Sequence, residues 1–363
     1  MTFAVAAAGT GGHVYPALAV ADALVEAGVA PDDITFFGGD RMEARTVPAA
    51  GYPFVEVDLR GLRRSLSFDN IRLPAVVMRA ARAMADEMRD RRIRVVTVFG
   101  GYVSVPAALA ARRVGATLFA QEQNAVPGLA NRLVARRAEQ VFVGFPAAMS
   151  LPRSVLSGNP LRKAFTRFDR DAMRGEALAR YRLPDGMPVL GVLGGSLGAR
   201  VLNDATTRFA EDAEPGSVAI VHLTGRDHLG AIAPVAERSQ VPWRPVAFEE
   251  SMEWFYAAAD MVLSRAGALT ISELAATGTP AVVVPYAAGT AGHQGANAAQ
   301  LQAVGGVTVV AESAIGTVPA ELQQLLLDPA RRHGMQAAAA AQGRPEAATV
   351  VARALLEAVD HAG

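Results

Sequence analysis

Two glycine-rich turns constrain this chain more than any other feature, because each sits between an apolar run and a helical pattern. Phe3–Val5 runs into Ala8-Gly9-Thr10-Gly11-Gly12-His13, and Val189–Leu193 runs into Gly194-Gly195-Ser196-Leu197-Gly198-Ala199-Arg200. A strand, a glycine turn and a helix in succession bring backbone N–H groups and a helix N-terminus to one point, where phosphate and other anions bind. The turns lie in opposite halves of the chain. They therefore predict two α/β domains facing each other across a cleft.

The pattern between the turns agrees. In the first half, Pro16–Ala27 reads as a helix ending at Gly28, Asp33–Phe37 and Phe54–Val57 as strands, and Asn70–Arg92 as a long helix. Val95–Phe99 is a strand stopped by Gly100-Gly101, Val105–Arg113 a helix closed by Gly115, and Thr117–Ala120 and Gln140–Val143 are further strands. Leu151–Pro160, rich in Pro, Ser and Gly, reads as the linker. The second half repeats the plan with strands Val189–Leu193, Ala219–Leu223, Pro245–Ala247, Met261–Ser264, Ala281–Val284 and Gly306–Val310. Gln336–Ala362 reads as helix broken near Gly343-Arg344-Pro345. Strands alternating with helices predict parallel, doubly wound sheets.

Composition narrows the class. The chain is 51% hydrophobic but only 6% aromatic, which suits small-residue helices packed on parallel strands and argues against disorder. Lys plus Arg equals Asp plus Glu at 35 each, whereas a nucleic-acid protein is usually basic. Basic residues nonetheless cluster at Arg60, Arg63, Arg64, Arg72, Arg79, Arg82, Arg89, Arg91, Arg92 and Arg94. The absence of Cys excludes disulfides, thiolate metal sites and a cysteine nucleophile. Met1–Val5 lacks a basic n-region and reads as a buried strand, not a signal peptide. No run of about 18 apolar residues predicts a membrane span.

Each motif supports a functional and a structural reading. The first turn is not a dinucleotide fingerprint, since Val14 stands where the third Gly belongs, which disfavours a nicotinamide oxidoreductase; nor is it a P-loop. His13 at a helix start is either a cap or a neutral imidazole able to accept a proton. The second turn is a phosphate cradle or a tight turn without a ligand. It also matches Gly-x-Ser-x-Gly, which would make Ser196 a nucleophile with His293 or His333 as partner. In Ser264–Leu274, Thr270 and Glu273 have capping-box spacing, while Glu273 alternatively offers two acceptor oxygens to a ribose diol. Gln121-Glu122-Gln123-Asn124 and Gly292–Asn297 are polar clusters after strands, either solvated loops or sites for sugar hydroxyls. His222, His228, His293 and His333 are scattered without metal-ligand spacing, so no metal and no cofactor are expected.

Taken together, these stretches resemble the MurG family of glycosyltransferases, which add N-acetylglucosamine to the lipid-linked muramyl-pentapeptide of peptidoglycan synthesis. The resemblance runs in order through Gly9–Ala21, Gly100–Ser104, Glu122–Asn124, Gly158–Arg162, Gly194–Arg200, Ser264–Glu273 and His293–Ala298, and so covers most of the chain. It implies the glycosyltransferase B fold, two Rossmann-like parallel-sheet domains facing a cleft. An acceptor- and membrane-side domain would span 1–155 and a UDP-sugar domain 160–340, with a helix of about 345–363 packing back on the first. The implied reaction is inverting transfer from UDP-N-acetylglucosamine to undecaprenyl-pyrophosphoryl-muramyl-pentapeptide (lipid I), at the cytoplasmic face of the cell membrane. An apolar stripe edged by Arg within Ile71–Arg82 would provide peripheral attachment; its alternative is a helix packed on the sheet.

By motif match, Ser196 would meet the diphosphate, Glu273 the ribose, and Ala268, Leu269 and Thr270 the nucleotide. Gln294 and Asn297 would contact the sugar, Arg162 would reach the nucleotide from the linker, and uracil would meet backbone near Glu249. Thr10, Gly11, Gly12 and Asn124 would close on the sugar, with His13 the first candidate for the base and Glu122 the second. The chain departs from the family at Ala7-Ala8-Gly9, Gln121, Val105, Glu249 and the Gly289–Gly292 loop, which touches acceptor positioning more than the donor site. Competing readings are another UDP-sugar transferase or 2-epimerase of the same fold, a non-catalytic nucleotide-sugar-binding module, and the serine hydrolase built on Ser196.

Overall fold

The computed structural model describes residues 2–58, 73–195, 197–287 and 292–361. In chain order the first elements are β1 (Phe3–Ala6), α1 (Gly11–Glu26), β2 (Ile34–Gly38), α2 (Glu43–Ala49), β3 (Phe54–Glu56), α3 (Leu73–Asp90), β4 (Val95–Val98) and α4 (Ser104–Val114). They continue as β5 (Thr117–Glu122), α5 (Leu129–Ala135), β6 (Gln140–Val143) and β7 (Ser154–Leu156). Then follow α6 (Lys163–Thr166), α7 (Arg170–Tyr181), β8 (Val189–Leu193), α8 (Arg200–Asp212), β9 (Ala219–Leu223), α9 (Leu229–Glu237), β10 (Trp243–Val246) and α10 (Met252–Ala258). The last are β11 (Met261–Ser264), α11 (Ala268–Thr277), β12 (Ala281–Val283), α12 (His293–Ala303), β13 (Val307–Val309), α13 (Val318–Leu327), α14 (Pro329–Ala340) and α15 (Ala347–His361).

The chain divides into two compact units, Met1–Lys163 with Pro345–Gly363, and Ala164–Arg344. The first holds a parallel sheet in the order β3-β2-β1-β4-β5-β6-β7, the second a parallel sheet in the order β10-β9-β8-β11-β12-β13. Central strands are apolar on both faces because helices cover both. Phe3 and Val5 face α1 and α15, where Leu18, Leu24, Val351 and Leu355 are buried. Ala4 and Ala6 face the opposite layer, with Met84 and Met88 of α3 and Ala107 and Ala111 of α4. Each fully buried large aliphatic or Phe side chain contributes about 1.5–3 kcal/mol. Leu190, Val192, Phe209, Ile220 and Leu263 build the corresponding core of the second unit.

Several elements differ from the sequence reading, each for a local reason. α1 starts at Gly11, five residues before the expected Pro16, so the first turn is shorter and His13 lies on the helix. Pro16 is inside the helix, and the N–H it lacks would have bonded the Gly12 carbonyl. β5 extends through Gln121 and Glu122, which pair with Phe142 and Val143 of β6. Backbone pairing overrides their polarity. α5 is short and was not expected, and β7 lies inside the expected linker as a three-residue edge strand on β6. β10 begins at Trp243 and tolerates Pro245 because it is an edge strand. Of the long helix expected over Asn70–Arg92, residues 70–72 fall outside the described residues.

Candidate functional site

In an open parallel sheet, ligands bind beyond the carboxyl ends of the strands, where the strand order reverses. The first sheet reverses between β1 and β4, the second between β8 and β11. Both glycine turns therefore leave the sheet at a switch point: Gly9–Gly12 follows β1 and Gly194–Gly198 follows β8.

In the first unit, the turns after β1 and β4 meet through glycines. Gly100 and Gly101 have φ +90° and +79°, in the left-handed region. A Cβ on Gly101 would lie 2.7 Å from the Ala8 carbonyl oxygen, and one on Gly100 would lie 3.1 Å from the His13 ring. The half-buried His13 places Nδ1 3.1 Å from that same Ala8 oxygen. A carbonyl only accepts, so Nδ1 carries the hydrogen and Nε2 is the accepting nitrogen of the neutral ring. His13 is thus a helix residue whose ring is bonded to the turn; Thr10 is the N-cap, without a side-chain cap. Thr10 is exposed, and Gly11 and Gly12 are half-buried.

The polar run at the end of β5 is not a solvated loop. Gln121, Glu122 and Gln123 are 0%, 2% and 2% exposed. Glu122 Oε1 accepts from the Asn124 backbone N–H at 2.8 Å and from Asn124 Nδ2 at 3.3 Å. Its Oε2 accepts from the Gly128 N–H and from Asn131 Nδ2, both at 2.9 Å. With four donors on two oxygens, Glu122 clamps the loop that carries Asn124. Asn131, which also donates to the Gln121 carbonyl at 3.0 Å, was not singled out from sequence. No motif marks it, since its partners are more than eight residues away in the chain. Arg162 lies with its guanidinium carbon 5.2 Å from the centre of the Tyr15 ring on α1.

The basic stretch is only partly described. Ile71, Arg72, Arg60, Arg63 and Arg64 lie outside the described residues. On α3, Arg79 and Arg82 are exposed and Val76, Val77 and Met78 half-buried, while Ala80, Ala81 and Met84 pack inward. On α5, Leu129 is 75% exposed and Arg132 and Leu133 are exposed, as are Arg136 and Arg137 just after the helix. Among the described residues no helix is long and apolar enough to cross a membrane, and no group of three or more His, Asp or Glu is placed to hold a metal ion.

In the second unit, Ser196 lies outside the described residues. The turn around it is tight: Gly198 has φ +75°, and a Cβ there would lie 2.0 Å from the Thr224 carbonyl oxygen. α8 starts at Arg200 directly after the turn. Asn203 of α8 donates to the Thr224 carbonyl at 3.3 Å and meets His222 Nε2 at 2.9 Å. Because its amide nitrogen is used on Thr224, its Oδ1 accepts and His222 Nε2 donates. Burial holds the His222 pKa down at about 3, and its ring stacks on Trp243. Neither Asn203 nor this role of His222 was evident from sequence.

After β11, Gly267 is the N-cap of α11 and carries no side chain to cap it. Thr270 is the third residue of that helix, which removes the capping-box alternative for Glu273. Instead, the buried Glu273 accepts from the Tyr256 hydroxyl at 2.9 Å. Ala268, Leu269 and Thr270 form the half-buried first turn. Gln294 and Asn297 are on α12, not in a loop. Gln294 Oε1 accepts from the Tyr286 N–H at 2.8 Å, and Asn297 Nδ2 donates to the Ala266 carbonyl at 3.3 Å. They tie α12 to the ends of β12 and β11. Arg265, also missed from sequence, donates to the Val284 carbonyl at 3.1 Å and to Glu312 at 2.5 Å.

Glu249 is buried and accepts from the Tyr181 hydroxyl at 2.8 Å, Arg180 at 3.1 Å and the Ser251 N–H at 2.9 Å. Burial pushes its carboxyl up, but the Ser251 N–H, the Tyr181 hydroxyl and Arg180 together outweigh it and bring it below 4.5. The side chain thus anchors the loop, leaving its backbone fixed.

Residues 3–143 match the glycosyltransferase family 28 N-terminal domain and residues 189–351 the glycosyltransferase family 28 C-terminal domain. A Mycobacterium tuberculosis (strain H37Rv) protein is 40% identical over 372 residues, 99% of this chain and 89% of its own length. A Salinibacter ruber protein is 39% identical over 368 residues, 97% of this chain and 95% of its own length. Both are named UDP-N-acetylglucosamine–N-acetylmuramyl-(pentapeptide) pyrophosphoryl-undecaprenol N-acetylglucosamine transferase. Among solved structures, Acinetobacter baumannii MurG superposes with a TM-score of 0.76 at 28% identity, over 98% of this chain and all of that one. A UDP-GlcNAc 2-epimerase from Neisseria meningitidis shares the fold at a TM-score of 0.66 and 15% identity, over 98% of this chain and 100% of that one.

Proposed function

The chain belongs to glycosyltransferase family 28, and from that premise we infer that it transfers N-acetylglucosamine from UDP-N-acetylglucosamine to lipid I, forming lipid II in peptidoglycan synthesis. It is a UDP-N-acetylglucosamine-dependent hexosyltransferase of the glycosyltransferase B fold. The observation that carries the reading is that the likeness runs through both units, at 40% identity over 99% of the chain. A likeness confined to the donor unit would have left the acceptor open.

The reaction is an attack of the acceptor sugar's hydroxyl on the anomeric carbon as UDP leaves, with inversion. It needs a base for the hydroxyl proton and stabilisation of the charge developing on the diphosphate. His13 is assigned the first role, because the Ala8 carbonyl bonds its Nδ1, which makes Nε2 the basic nitrogen of the neutral ring. Glu122 is less suited, since four N–H groups already occupy its oxygens. The second role falls to the Gly194–Gly198 turn, Ser196 and the N-terminus of α8, whose dipole favours anions. Glu273 is assigned to the ribose, Ala268, Leu269 and Thr270 to the nucleotide, the backbone at Glu249 to uracil, and Gln294 and Asn297 to the sugar. Thr10, Gly11, Gly12 and Asn124 complete the sugar's surroundings, and Arg162 is assigned to the nucleotide. Because the acceptor is carried on a lipid, the exposed arginines of α3 and α5 with Leu129 and Leu133 are assigned to peripheral contact with an anionic membrane surface at its cytoplasmic face.

The test is transfer of labelled N-acetylglucosamine to a lipid-linked muramyl-pentapeptide analogue in EDTA, with His13→Ala in parallel. Transfer by the wild type and its loss in the variant is the expected result. UDP binding without transfer by the wild type would refute the acceptor assignment and leave the donor site standing.

A further inference from the structure

One buried carboxylate near the reacting histidine has no role in the mechanism above. Glu43, the first residue of α2, is 0% exposed. Its neighbours come from three turns at the carboxyl edge of the sheet. Oε2 accepts from the Gly9 N–H at 3.2 Å, in the turn after β1. Oε1 accepts from the Gly39 N–H at 3.0 Å, after β2, and from the Tyr102 hydroxyl at 3.3 Å, after β4. The approach is built into the backbone: a Cβ on Gly39 would lie 2.2 Å from the Tyr102 hydroxyl. Burial first, and then Glu43, push the Tyr102 phenol up to about 12, so its hydroxyl stays a donor at neutral pH.

The Gly9 N–H and the Ala8 carbonyl belong to the same planar peptide unit. Glu43 holds the N–H end, and His13 Nδ1 bonds the C=O end at 3.1 Å. We infer that Glu43 is a positioning residue for the transfer reaction, acting through the Ala8–Gly9 peptide to hold His13 in its Nδ1–H tautomer with Nε2 as the accepting nitrogen. An acceptor on the N–H of a peptide polarises it and strengthens its carbonyl as an acceptor in turn. The arrangement does the work of a carboxylate bonded directly to an imidazole, with one peptide group in between. Gly101 is part of it, because any side chain there would collide with the Ala8 oxygen.

The inference rests on the assignment of His13 to the reaction, and the experiment separates the two. In Glu43→Gln, one orientation turns the new –NH2 group toward the Gly9 N–H and the other turns it toward the Gly39 N–H. Either way one backbone donor loses its acceptor, and the polarisation of the peptide weakens. The expected kinetic result is a fall in kcat of at least about tenfold with KM for UDP-N-acetylglucosamine within about twofold of wild type. The direct readout is 15N NMR of histidine-labelled protein above the imidazole pKa, with the His13 signals identified from His13→Ala. Wild type should read as protonated on Nδ1, and Glu43→Gln as a mixture of tautomers. A wild-type His13 protonated on Nε2 overturns the inference without any variant, as does an unchanged tautomer in Glu43→Gln. If the tautomer shifts in Glu43→Gln but His13→Ala keeps full activity, the structural link stands and the assignment of His13 to the reaction falls.

Discussion

Replacing Glu122 by Gln is the sharpest test of whether this residue clamps a loop or moves a proton. Each carboxylate oxygen takes two N–H groups, one of them a backbone N–H, from Asn124 on one side and Gly128 on the other. The glutamine amide must place its –NH2 on one side, so one backbone donor meets a donor. An orphaned buried N–H costs about 1–3 kcal/mol. The bonds on the other side survive but lose their charge assistance, about 1 kcal/mol each. Asn131 still has the Gln121 carbonyl and adds little. The total is about 3–5 kcal/mol, placed in the first unit. Urea unfolding can localise it, because both tryptophans, Trp243 and Trp254, lie in the second unit. The far-UV circular dichroism transition should shift to lower urea while the tryptophan-detected transition stays put. A loss under about 1 kcal/mol, with transfer activity nonetheless abolished, would refute the clamp and restore Glu122 as the base.

Three further outcomes follow from the second unit. Gly198→Ala forces a Cβ onto the Thr224 carbonyl at positive φ, so tryptophan-detected stability should fall by about 2–3 kcal/mol; calorimetry should show UDP binding weakened at least about tenfold, and unchanged binding would contradict the cradle. The folded protein leaves His222 neutral down to about 3, whereas the unfolded chain takes up its proton from 6.5 downward. Stability should therefore drop by about 1.4 kcal/mol per pH unit across that window from this group alone, and His222→Gln should remove that slope from urea midpoints. Glu249 sits below its ordinary 4.5 when folded, so its contribution is present above that value and lost as the pH falls through the folded one. Glu249→Gln should be less stable than wild type near neutral pH, with the gap closing in urea titrations well below pH 4.5.

Much of the fold was legible because central parallel strands carry their burial in their own residues. Val95–Val98 and Val189–Leu193 read as strands without help from neighbours. The end of β5 did not, since Gln121 and Glu122 become strand only by pairing with Phe142 and Val143. The turns and His13 were legible for a similar reason: glycines, a strand before and a helix after are local signals. Glu43, Asn131, Asn203 and Arg265 were not, because each takes its meaning from backbone groups that the chain reaches far away. Glu43 in Arg41-Met42-Glu43-Ala44 reads as nothing more than an ordinary helix start.

The packing of α15 has a consequence for how the molecule is made. Val351, Ala352 and Leu355 fill the same core as Phe3 and Val5 of β1 and Leu24 of α1. On the ribosome, β1 and α1 emerge long before α15, so the first unit waits with an open apolar face while the second is synthesised whole as an insertion. During that interval the second unit is free to complete its core first, reversing the usual order in which N-terminal domains mature ahead of later ones. Premature termination before α15 would leave that face permanently bare, a substrate for chaperones and proteases even though every residue assigned to chemistry had already been translated.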